Sequence, residues 1–165
     1  MKCFQCGGEM TSARENYKYG DGLDVTLLNV EVRRCPKCGE FEVGIPMIEE
    51  LHRAIAMKII HQRARLAPSQ IRWLRKWLGW SGERFAEHVG VMATTVSKWE
   101  NGKEPMGPQT DRLLRMMVSH GRPVEEYPLD ELVEVAQDDV APLGRLEMRP
   151  IATGWEANAT GDAHP

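Results

Sequence analysis

Residues 82–101 read Gly82-Glu83-Arg84-Phe85-Ala86-Glu87-His88-Val89-Gly90-Val91-Met92-Ala93-Thr94-Thr95-Val96-Ser97-Lys98-Trp99-Glu100-Asn101. Two short helices that cross steeply over a tight turn make specific demands on such a stretch. The close approach needs a small side chain, which Ala86 supplies. The turn needs a residue that accepts positive φ, which Gly90 supplies. Apolar side chains must point inward from both helices, and Phe85, Val89, Val91, Val96 and Trp99 fall at those places. The spacing therefore predicts a helix-turn-helix. The second helix turns Ala93, Thr94, Ser97, Lys98 and Asn101 outward, with Thr95 beside them. Ala93 and the threonine methyl groups suit thymine methyls, and Lys98 can donate to guanine or to phosphate. Thr95 and Ser97 are short donors for base edges or phosphates. These six residues are the candidate DNA-binding set. The alternative is a plain solvated helix of a helical bundle.

Charge supports the polyanion reading. The 165-residue chain has a net charge of −3, which alone argues against nucleic acid. Residues 46–120 carry 12 basic and 7 acidic side chains, whereas residues 121–165 carry 3 and 10. A basic middle and an acidic tail are hidden in the average.

Outward from the motif, residues 68–120 form the expected helix-turn-helix domain, a bundle of short helices. Ser69 is the expected N-cap of its first helix. Trp73, Trp77 and Trp80 flank an Ile71–Leu74–Leu78 stripe, either as core edge or as a dimer or domain contact. Residues 46–67 form the expected linker: Pro46 to Arg65 reads as one helix with Ile48, Leu51, Ile55 and Ile59 on one stripe. That stripe serves packing or a rigid connection between domains. The acidic tail, 121–165, is expected to be largely disordered. One short amphipathic helix fits Leu129, Leu132, Val133 and Ala136, with little order from Gln137 on.

The four cysteines all fall in residues 1–45, as Cys3-Phe4-Gln5-Cys6-Gly7 and Cys35-Pro36-Lys37-Cys38-Gly39. Between them, Val25, Leu27, Val30 and Val32 have strand character, and Gly20-Asp21-Gly22 gives a turn signal. This predicts a small β-hairpin domain too short of core to stand without a staple. Four thiolates make a closed tetrahedral site, which favours one structural Zn²⁺. Iron, or two redox dithiols, are the alternatives. The fold class expected is α+β: a zinc-binding hairpin domain, a linker helix and an all-α domain. No nucleophile–base pair or phosphate-cradling loop stands out, so no catalytic residue is assigned and an enzyme is not expected. His52, His61, His88, His120 and His164 are scattered. The N-terminus has no apolar h-region and no stretch is long enough for a membrane span, so the expectation is a cytoplasmic protein.

The segment from Leu74 to Pro105, with its Ser97-Lys98-Trp99-Glu100-Asn101-Gly102-Lys103 ending, resembles the Xre/Cro-type repressor helix-turn-helix. That resemblance implies an ion pair between Arg75 and Glu100. It also marks two departures: Gly82 stands where the family usually has Gln, and Met92 where it usually has a Ser or Thr cap. With the paired cysteine module in front, residues 1–120 resemble the MqsA (YgiT-type zinc finger) antitoxins. The resemblance implies a zinc domain that binds a toxin, an mRNA-cleaving ribonuclease. It further implies a homodimer that represses its operon through a palindromic operator in double-stranded DNA. The family's base-reading Asn and Arg align with Thr94 and Lys98. The competing expectation is a zinc-ribbon and helix-turn-helix transcriptional regulator with no toxin partner.

Overall fold

The computed structural model describes residues 1–20, 22–121 and 144–158, with Val135 and Val140 between the last two stretches. In chain order the elements are β1 (Thr11–Tyr19), β2 (Val25–Arg34), β3 (Phe41–Gly44), α1 (Ile48–Ile60), α2 (Pro68–Trp77), α3 (Gly82–Val89), α4 (Ala93–Glu100), α5 (Pro108–Gly121), β4 (Leu146–Ile151) and β5 (Gly154–Asn158). The protein is mixed α+β. It divides into a sheet unit (1–20, 24–54 and 145–165) and a helical unit (21–23 and 55–144), and α1 passes from one to the other.

In the sheet unit, β2 is the central strand. β1 lies antiparallel along one of its edges from Tyr19↔Val25 to Thr11↔Arg34. The other edge is shared. β3 pairs antiparallel with Glu31 to Arg34, and β4 pairs parallel with Val25 to Leu27. β5 then closes a hairpin onto β4. The burial of β2 changes phase midway: Val25 and Leu27 are buried, then Leu28, Val30 and Val32. A β-bulge causes this. Leu28 and Asn29 together oppose Asn16, Asn29 takes φ 54°, and its N–H donates to Asn16 Oδ1 at 3.1 Å. An extra residue flips the side-chain alternation, and Asn is the non-glycine residue that best tolerates that conformation. The core so formed includes Leu51 of α1, Leu146 and Met148 of β4, and Trp155 of β5. The Trp155 indole donates to the Pro46 carbonyl at 2.8 Å.

Three expectations are corrected here. Little order was expected from Gln137 on, yet Leu146–Asn158 form a hairpin of the main sheet. Its buried residues find their partners on a strand far away in sequence, which a composition average over the tail does not register. The helix expected to run to Arg65 stops at Ile60. Arg115 of α5 provides the reason: its guanidinium donates to the carbonyls of Ile60, Gln62 and Ala64 at 2.9, 2.5 and 2.8 Å. These carbonyls are held by a side chain rather than by a further helical turn. The first residue of α2 is Pro68, and its N-cap is Ala67 rather than Ser69. Gln70 Oε1 accepts the Ala67 N–H at 2.8 Å, as half of a capping box would. The short helix expected around Leu129 to Ala136 lies outside the described residues.

The helical unit encloses Ile71, Leu74, Phe85, Val96, Leu114 and Val118. α3 is capped by Ser81, whose hydroxyl accepts the Arg84 N–H at 3.1 Å. It ends at Gly90 with φ 70°, the left-handed residue that turns the chain into α4. α4 starts at Met92 without a side-chain cap.

Candidate metal centre and nucleic-acid interface

Two knuckles with the same backbone wiring carry the cysteines. In the first, Cys3 N–H donates to Gly8 O at 2.7 Å and Gly7 N–H to Cys3 O at 2.9 Å. In the second, Cys35 N–H donates to Glu40 O at 2.8 Å and Gly39 N–H to Cys35 O at 2.9 Å. Gly7 and Gly39, at φ 68° and 78°, close these turns. Together the knuckles bring four Sγ atoms within 4.8 Å of one another, with Cys3–Cys38 at 3.6 Å and Cys6–Cys35 at 3.5 Å. A tetrahedral zinc with Zn–S of about 2.3 Å separates its sulfurs by about 3.8 Å, so the four thiols fit one such ion. A Cβ on Gly8 would lie 3.4 Å from both Cys6 Sγ and Cys35 Sγ, so a glycine keeps this wall of the cradle close. The thiols also show what a cation would relieve. The Cys38 amide stabilises the Cys35 thiolate and lowers that pKa to about 7. The Glu40 amide acts likewise on Cys38, but shared thiol hydrogen bonds and desolvation push its pKa up to about 12. Four sulfurs at this spacing cannot all be anionic without a positive ion between them. Among the described residues this is the one cluster with such a ligand set.

In the helical unit, α4 exposes Ala93, Thr94, Ser97 and Lys98, and Asn101 just beyond it, while Thr95 is half-buried. The far side of the helix holds Val96 and Trp99 in the core, Trp99 edge-on to Phe85 with centroids 6.4 Å apart. Three of the six candidates are engaged by neighbours, Ser97 among them, whose hydroxyl accepts from the Asn101 amide at 3.3 Å. Lys98 Nζ lies 2.6 Å from Glu104 Oε1. The Asn101 amide donates to Ser97 O at 2.8 Å and accepts from Arg72 Nη2 at 2.8 Å. The row without side-chain partners in these bonds is therefore narrower than the sequence suggests: Ala93 and Thr94, with Ser97 holding Asn101 and Lys98 holding Glu104.

Arg75 and Glu100 are brought together. Arg75 Nε and Nη2 donate to Glu100 Oε1 and Oε2 at 2.5 and 3.0 Å, and its Nη1 donates to Trp80 O at 2.7 Å. This fork ties the end of α4 to α2 and to the loop before α3. Arg72 is a second cation on Glu100, at 3.4 Å, one helical turn before Arg75. Its i,i+3 spacing from Arg75 was a visible signal. Of the tryptophans singled out, Trp73 is buried, and Trp80 stacks on His88 with centroids 4.1 Å apart. His52 lies 2.8 Å from the Tyr19 hydroxyl, and among the described residues the metal-ligand cluster contains the four cysteines and no histidine.

Fold and site thus define a class: an α+β protein with a four-cysteine cluster in a small sheet unit and a helical unit whose α4 turns a polar face outward. Residues 1–127 match the family model of the antitoxin component of a bacterial toxin–antitoxin system, MqsA, and the chain belongs to that family. The match ends before β4 and β5. No protein of curated function matches the chain. Among the described residues no helix is long and apolar enough to cross a membrane.

Proposed function

We propose that this antitoxin represses its own operon by binding a palindromic operator in double-stranded DNA as a homodimer, while its sheet unit binds the toxin, an mRNA-cleaving ribonuclease. It acts in the cytoplasm, without enzymatic activity of its own. One structural Zn²⁺ on Cys3, Cys6, Cys35 and Cys38 holds the sheet unit's knuckles. The helix-turn-helix is α3 and α4, and α4 is the recognition helix.

The observation that carries this reading is the outer face of α4. It joins small polar and methyl-bearing side chains to one lysine, on a helix locked to its neighbour by a salt bridge at one end and Gly90 at the other. A single helix of this size reads too few bases for a specific site, and doubling over two half-sites supplies the rest. The net +5 of residues 46–120 supplies the attraction.

The test is binding to the DNA upstream of the chain's own reading frame against a scrambled duplex, over a range of salt. Preference for the upstream DNA, with affinity falling steeply as salt rises, is expected. Equal binding to both at every salt concentration defeats the repressor reading. Co-purification with the product of the adjacent reading frame tests the toxin partner separately.

A further inference from the structure

Lys98 is the one candidate base reader with a charge, and its charge is already held. Its ammonium sits 2.6 Å from Glu104, with the side chains 48% and 50% exposed. The contact is built by the turn after α4. Gly102 takes φ 68° and Lys103 N–H donates to Lys98 O at 2.9 Å, which carries the chain back under the helix end and sets Glu104 opposite Lys98. The other nearby carboxylate is committed elsewhere, because Glu100 is bound by Arg75 and Arg72. An exposed pair of this kind contributes little to folding. It does, however, place a negative charge against the surface where a phosphate backbone would lie.

We propose that Glu104 is an affinity-limiting residue: it holds the Lys98 ammonium until a DNA acceptor able to replace a carboxylate takes over. The inference rests on the reading of α4 as the DNA-binding helix. A guanine edge offers two acceptors, N7 and O6, in place of the carboxylate oxygen. At a site without guanine opposite Lys98, the pair stays closed and Lys98 adds nothing to binding. Cognate DNA must break the pair to use Lys98 and so loses the energy of the pair, whereas non-cognate DNA loses only the weaker phosphate contact that a free Lys98 would make.

The experiment compares full-length wild type, Glu104→Gln, Lys98→Ala and the double variant on the chain's own upstream DNA and on a scrambled duplex. Glu104→Gln should bind scrambled DNA roughly two- to five-fold tighter, the range set by one exposed ion pair. Upstream DNA should gain at least as much, so the preference does not fall. The salt dependence on scrambled DNA should steepen by about one phosphate contact. In the Lys98→Ala background the gain should vanish, and that separates release of Lys98 from mere removal of a negative charge. Thermal melting of each variant checks that folding is unchanged. A gain that persists without Lys98, or no gain on either DNA, overturns the inference while leaving the DNA-binding reading intact. Wild type that prefers neither DNA overturns that reading first, and this inference with it.

Discussion

Glu100 and Glu104 are separated by four positions and differ almost completely in what they hold. The Glu100 side chain is 8% exposed and grips Arg75, itself 13% exposed. Removing such a carboxylate leaves a guanidinium half-paired in a poorly solvated place, which is the costly way to break an ion pair. The Trp80 carbonyl still accepts from Arg75, which softens the loss. Glu100→Ala should therefore cost about 2–3 kcal/mol, below the figure for a fully buried pair. Glu104→Ala should cost within about 0.5 kcal/mol, as an exposed change does. Denaturant melts of the two variants check this, and equal losses would show that the Arg75 fork carries no stability. At this scale the sequence was legible where chemistry demands one residue type. The cysteine spacing brought out all four clustered thiols, and Gly90 the left-handed turn after α3. It was silent where a contact is made by side chains remote in sequence. Asn29 looks like any strand-interrupting residue until Asn16 lies opposite it. Nor does anything in Asn101 itself reveal that Arg72 occupies its oxygen.

At the scale of elements, two structures depend on partners that periodicity does not display. The first is the end of α1. Arg115 and Asp111 are fully buried, paired at 2.7 Å one turn apart on α5. Asp111 also accepts the Leu66 N–H at 2.7 Å, so the pair binds the whole stretch from Ile60 to Leu66. In sequence, the i,i+4 spacing looks the same as that of a solvated surface pair. Arg115→Met should cost about 3–5 kcal/mol, because it strands a buried carboxylate and three carbonyls. The paired change Arg115→Met with Asp111→Asn should recover part of it. Equal instability of the single and paired variants would argue that lost packing, not the stranded charge, is responsible. The second is the β4–β5 hairpin. Met148 is fully buried and Leu146 nearly so, each paired in register with β2. Pro150 and an acidic neighbourhood disguise the strand, but Pro150 falls beyond the stretch that pairs with β2, where a missing N–H is tolerated. Met148→Ala should cost about 2–5 kcal/mol as a large-to-small core change. An unchanged melt would mean that the hairpin adds nothing to the sheet unit's core.

Considered whole, the chain builds its cysteine-bearing unit from both of its terminal stretches, with the helical unit lying between them in sequence. The cysteine knuckles sit at the start of that unit, immediately before β1 and between β2 and β3. β2 is the strand on which every sheet pairing in the unit depends, directly or through β4. The binding energy of a structural metal is also folding energy, so loss of the ion should be felt wherever the β2 pairings reach. It should therefore loosen not only residues 1–44 but also Leu146–Asn158, which hold no cysteine and lie at the other end of the sequence. The helices α2 to α5 have a core and an ion-pair network of their own and should keep their protection. Hydrogen exchange on the full-length protein, before and after a strong chelator, reads this directly. The expected result is faster amide exchange at both ends of the chain together, with α3 and α4 unchanged. Cys35→Ser should reproduce it without chelator, since three thiols no longer close the site. Retained protection in Leu146–Asn158 while residues 1–44 exchange freely would show that the hairpin does not share the metal's stabilisation. Loss of protection in α3 and α4 at the same time would show that the two units do not unfold independently.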